Sequence, residues 1–97
     1  MTIDATTWLY VAIQKDGNKE KIVGQTDSEH EIDFIPAFQS KETAQQAMFH
    51  LHLEKKKKYE VQAIIYEDLE HYAADGGFLI FVLDEDGNVI KRLPAVH

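Results

Sequence analysis

Hydrophobic positions fall into three dense blocks separated by polar, turn-forming residues, and the spacing within each block predicts its structure. Trp8-Leu9-Tyr10-Val11-Ala12-Ile13 is β-branched and aromatic without polar alternation, the pattern of a strand buried on both faces. Lys15-Asp16-Gly17-Asn18 then supplies a tight turn, predicting a hairpin that returns through a short strand near residues 21–25. Asp27, Glu29, Glu31 and Asp33 recur at every second position, so an extended segment would turn them to water while Ile32 and Phe34 face the other way. The strand continues through Ile32-Asp33-Phe34-Ile35-Pro36-Ala37-Phe38, and Pro36, which has no N–H, predicts an edge position or a strand end.

Ser40 is placed to cap a helix whose first turn carries Glu42. Ala44, Ala47, Met48 and Leu51 would share its buried face, and Lys55 to Lys58 would complement its negative end, so the helix is expected to run to about Lys57. Tyr59 to Tyr66 reads as a strand, Glu67 to Ala74 as a short helix stopped by Gly76-Gly77, and Phe78-Leu79-Ile80-Phe81-Val82-Leu83 as the innermost strand. Asp84-Glu85-Asp86-Gly87-Asn88 then turns the chain into a last strand at 89–93. The order β-β-β-α-β-α-β-β predicts an α+β fold in one domain spanning residues 1–97, with an ordered core at about 7–93. Its single sheet would have about five or six strands, mainly antiparallel or mixed, with one principal helix on one face and one short helix.

Composition changes this picture mainly by exclusion. The 97 residues carry 17 acidic against 10 basic side chains, a net charge of −7, so nucleic acid and anionic membrane surfaces are not expected as partners. There is no cysteine, which removes disulfides and thiolate chemistry and predicts a reducing, cytoplasmic setting. No leader is expected at Met1-Thr2-Ile3-Asp4-Ala5, and no window approaches the roughly 18 apolar residues of a membrane span.

Candidate chemistry is sparse. His50 and His52 sit two apart, roughly 200° around a helix from one another, so they would not share a metal; His50 with Glu54 has the spacing but leaves a site unfinished. Glu67, Glu70 and His71 form the densest acidic and imidazole group, the basis of an alternative reading as a small metal-dependent hydrolase. Asp84 to Asn88 lacks the glycine position and the closing Glu of a calcium loop. No phosphate-binding glycine loop, nucleophile elbow or zinc-protease pattern is present, and no catalytic residue, cofactor or metal is expected. A small-ligand pocket lined by Trp8, Tyr10 and Tyr66 is a further alternative. Phe49 and Leu53, at i and i+4, lie about 140–180° from the buried stripe and would face outward. They predict cover, either from another part of the domain or from an apolar contact with a protein partner, a second copy of the chain in the simplest case.

Phe34-Ile35-Pro36-Ala37-Phe38-Gln39-Ser40-Lys41-Glu42 resembles the strand-to-helix junction of the enhanced-serine-sensitivity (SseB-like) N-terminal domains, where a Pro-x-Phe-Thr-Ser-x-Glu stretch opens the helix. Tyr66-Glu67-Asp68-Leu69 and Gly77-Phe78-Leu79-Ile80 are similar too, so the resemblance loosely spans residues 8–83; Val82-Leu83-Asp84 stands where that family tends to Asn-Pro-Gly. The resemblance implies a small α/β domain and supplies no catalytic residues to carry over. The expectation drawn from the whole sequence is a non-enzymatic protein-binding or regulatory module that self-associates through a sheet edge or through Phe49 and Leu53.

Overall fold

The computed structural model describes residues 3–93. Ten elements follow one another: β1 (Trp8–Asp16), β2 (Lys19–Ile22), β3 (Gln25–Asp27), β4 (Ile32–Phe38), α1 (Lys41–Ala47), a 3-10 turn (Met48–His50), β5 (Lys58–Ile65), α2 (Tyr66–Gly76), β6 (Leu79–Leu83) and β7 (Val89–Leu93). All seven strands join one mixed sheet along the path β5-β1-β4-β6-β7, one or two strands more than the sequence pattern suggests. β1 pairs antiparallel with β5 along Trp8 to Lys15, and β4 runs parallel to β6 from Phe34 to Ala37.

β1 and β4 touch only at Tyr10–Phe38 and Val11–Ala37, then diverge. β2 fills one arm of the fork by pairing with the far end of β1, and β3 fills the other by pairing with Ile32 to Phe34 of β4. Val23 and Gly24 link the two arms, and an added Cβ on Gly24 would lie 2.7 Å from the Phe78 ring. That ring is held from its other side by Gly76, where an added Cβ would lie 2.6 Å away.

The fork also corrects the expectation for Pro36. It is fully buried inside β4, between β1 and β6, rather than at an edge or strand end. On the side of β4 shared by β3 and β1, pairing stops at Phe34 and resumes at Ala37, so Pro36 falls where neither neighbour has a residue opposite it. The acidic row is corrected as well: Asp27 ends β3, and residues 28–31 form a turn with Glu31 at φ 54°. The Asp27 carboxylate closes that turn by accepting from the backbone N–H groups of Glu29 and His30.

Alternation along the strands gives two cores. Leu9, Val11, Ile13, Ile35, Ala37 and Ile80 face α2, where Tyr66, Leu69 and Ala73 meet them. Phe38, Phe81 and Leu83 face α1 and pack on Ala44 and Ala47, with Tyr10, Phe34, Leu51 and Val61 at the margin. The two helices therefore cover opposite faces, making three layers.

Helix lengths are exchanged relative to expectation. Ser40 does cap α1, its hydroxyl accepting from the Thr43 N–H at 3.1 Å, but α1 ends at Ala47, not near Lys57. Gln25 explains the stop: its side-chain amide donates to the His52 carbonyl at 2.9 Å and its oxygen accepts from the His52 N–H at 2.7 Å. Those are the backbone groups a continuing helix would need for its own ladder. α2, expected to be the short helix, is the longer at 11 residues and ends on Gly77 at φ 76°.

Candidate interaction surface

Four strands pair on one side only: β2 and β3, with four and three residues, border the fork, and β5 and β7 form the outer edges, which differ in how well they are protected. β7 is short, with five residues, and a bulge leaves Ile90 unmatched between the Val82–Lys91 and Leu83–Val89 pairs. It also carries Lys91 and Arg92, so shortness, a bulge and charge all blunt it against pairing. β5 has neither the shortness nor the bulge, and its two charges, Lys58 and Glu60, are of opposite sign. It is eight residues long, contains no proline, and keeps an unshifted register with β1 throughout.

The direction of its backbone groups follows from two bonds. The Tyr66 N–H donates to the Thr7 carbonyl at 2.7 Å, and on the other side of β1 the Val23 N–H donates to the Ala12 carbonyl at 2.9 Å. Odd-numbered residues of β1 thus bond toward β5 and even-numbered ones toward β2. Across the register, Lys58, Glu60, Gln62 and Ile64 spend their N–H and C=O on β1, whereas Tyr59, Val61 and Ala63 turn both groups outward and Ile65 turns out its N–H, its C=O opening the ladder of α2.

Side chains along β5 divide by face. On the α2 side, Lys15 bridges Glu60 at 3.0 Å and Glu20 at 3.7 Å, and Gln62 donates to Glu60 and Glu20. The Glu60 carboxyl is held below its ordinary range by the Gln62 amide first and Lys15 second, and Lys15 is raised chiefly by its hydrogen bond to Glu60. All of these groups are solvated, so the network orients side chains without much stabilising them. On the α1 side, Tyr59, Val61, Ala63 and Ile65 form an apolar stripe, and Trp8, which pairs with Ile65, continues it while remaining 58% exposed. A groove of about 480 Å³ lies between α1 and part of this stripe, with Lys41 and Met48 on one wall and Tyr59 and Val61 on the other.

Phe49 is 90% exposed on the 3-10 turn. Leu53 is half-buried in an irregular segment, so the i, i+4 pairing with Phe49 that the longer helix implied does not exist, nor does that of His50 with Glu54. His50 and His52 instead line one groove of about 290 Å³, with Phe34, Phe81 and Leu83 as its floor. Arg92 stands 5.5 Å from the centre of the Phe81 ring, which stacks on Phe34 at 4.5 Å, and Asp27 lies on the rim. The sequence carried no signal for Arg92 or Asp27 in this setting, because strand pairing alone brings them to the histidines.

Glu67 and His71 are exposed on α2, and Glu70 accepts a hydrogen bond from Tyr66. Burial first, and Glu70 second, push the Tyr66 hydroxyl up to about 12. Among the described residues, no three His, Asp or Glu side chains are grouped to hold an ion. Trp8, Tyr10 and Tyr66 do not converge: Tyr10 packs with the α1 core and Tyr66 within the α2 core, on opposite faces of the sheet. The Asp84 carboxylate accepts from the N–H groups of Asp86 and Asn88, each at 2.9 Å, which accounts for this loop as a hairpin turn. No helix among the described residues is long and apolar enough to cross a membrane. No protein-family model, curated protein or solved structure matches the chain.

Proposed function

We propose that this chain is a non-enzymatic, cytoplasmic protein-binding module that self-associates, and that β5 is its contact edge. One observation carries the reading: Tyr59, Val61 and Ala63 present unpaired backbone donors and acceptors along a long, regular edge, while the opposite edge is short and bulged. The charge on β5 agrees with it, since Lys58 and Glu60 cancel on this strand within a chain of net charge −7. The lack of cysteine supports a reducing compartment.

Light scattering after size exclusion, over a concentration series, tests the proposal. Wild type is expected to shift from monomer to dimer with concentration. Ala63→Pro removes an outward N–H that the monomer does not use, so it should stay monomeric with an unchanged circular dichroism spectrum. Phe49→Asp should leave the dimer intact. A wild type that is monomeric throughout overturns self-association; dissociation by Phe49→Asp but not by Ala63→Pro moves the contact from β5 to the 3-10 turn.

A further inference from the structure

We propose that the partner of β5 is β5 of a second copy, paired antiparallel about a two-fold axis through Gln62. This rests on the self-association through β5 argued above and adds its register. A hydrogen-bonded antiparallel pair needs outward-facing groups on both strands, and β5 offers both groups at Tyr59, Val61 and Ala63 and the N–H alone at Ile65. A two-fold centre at Gln62 matches Val61 with Ala63 of the other copy through both bonds and Tyr59 with Ile65 through the Ile65 N–H, so every outward residue on both strands takes part. Centring on Val61 or Ala63 leaves one outward residue per strand unmatched, and a centre between residues sets outward groups against inward ones.

Charge excludes one rival, and the apolar row on the α1 side favours the Gln62 centre. Centred on Gln62, Glu60 lies opposite Ile64 and Lys58 opposite Tyr66, so no like charges face each other, whereas a centre at Glu60 would set the two carboxylates against one another. The α1 side gains an unbroken apolar row: Trp8, then Ile65, then Tyr59 of the second copy. That row covers the indole left 58% exposed in the monomer. The closed two-fold contact stops at two copies, unlike a head-to-tail pairing of β5 with β7.

Because the chain has no cysteine, single substitutions report the register directly. In the centred pair the two residues at position 62 form a non-hydrogen-bonded pair with Cα atoms about 4.5 Å apart, within disulfide reach. Two residues at position 60 would be four steps out of register, about 13 Å apart along the strands. Under mild oxidation, Gln62→Cys is expected to give covalent dimer and Glu60→Cys is expected to give none. Tryptophan emission of the wild type, which reports Trp8 alone, should shift to the blue as the protein associates. Dimers in which Glu60→Cys cross-links and Gln62→Cys does not, or in which Trp8 emission stays fixed, overturn this register while leaving self-association standing. Monomers at every concentration remove both.

Discussion

Replacing Gly24 with alanine should destabilise the fold, although glycine-to-alanine changes at permissive positions usually stabilise by about 0.4–1 kcal/mol through the unfolded chain. The new Cβ would lie 2.7 Å from Cε1 and 3.2 Å from Cζ of Phe78, against the 3.4 Å at which ordinary contact begins. An exposed ring would swing aside, but Phe78 is gripped from behind by Gly76, and its own N–H is tied to the Ala73 carbonyl at 2.8 Å. Overpacking of this kind costs about 1–3 kcal/mol, which lowers the melting temperature of a domain this size by roughly 5–20 °C. Thermal unfolding followed by circular dichroism measures it, with Phe78→Leu and the double variant completing a cycle. If the ring transmits the strain, Gly24→Ala costs little once residue 78 is leucine. A neutral or stabilising Gly24→Ala in the wild-type background refutes the reasoning.

Other outcomes follow from the same geometry. Gln25→Ala removes both clamps on His52 and should speed hydrogen exchange at the His52 amide, with a loss of about 1–3 kcal/mol in urea unfolding; unchanged exchange would show that the clamp does not hold the segment after α1. Leu69→Ala empties a fully buried site under α2 and should cost about 2–5 kcal/mol by the same assay. Asp84 is held below its ordinary carboxyl range, mainly by the Asn88 N–H, so its contribution is present above about pH 4 and lost as pH falls through the lower folded value; Asp84→Asn should flatten the acid limb of the stability profile. For Tyr66 the folded value is raised to about 12, so stability is full below about pH 10 and declines above it, and spectrophotometric titration should show one of the four tyrosines ionising last.

Elements governed by local rules were legible in the sequence, and elements governed by distant contacts were not. Strands buried on both faces leave uninterrupted runs of β-formers, and for that reason β1 and β6 stand out. The Ser40 cap and the Gly77 stop act within a few residues and were equally plain. The end of α1 is decided by Gln25, 27 positions before His52, and no helical periodicity can register it. Residues 48–57 kept an apolar spacing that suited a helix, so Phe49 and Leu53 were paired on a turn of helix that does not form. Pro36 misled for a related reason: a proline in mid-strand is disfavoured only where a neighbour needs its N–H, and the fork removes that neighbour. The exposed edge of β5 depends on strand order, a property of the assembled sheet, so Phe49 was visible in advance and the stripe from Tyr59 to Ile65 was not.

The parallel pairing of β4 with β6 has a consequence for synthesis. A ribosome makes β4 some forty residues before its partner, because α1, β5 and α2 intervene. Until Leu79 to Leu83 emerge, the flank of β4 around Ile35 to Ala37 faces the crowded cell as a sticky, unfinished border, and such late long-range pairing slows completion of the native state. Truncation just short of Phe78 should therefore yield a nascent species that chaperones recognise, and variants that delay β6 should aggregate during expression even where the finished protein is stable.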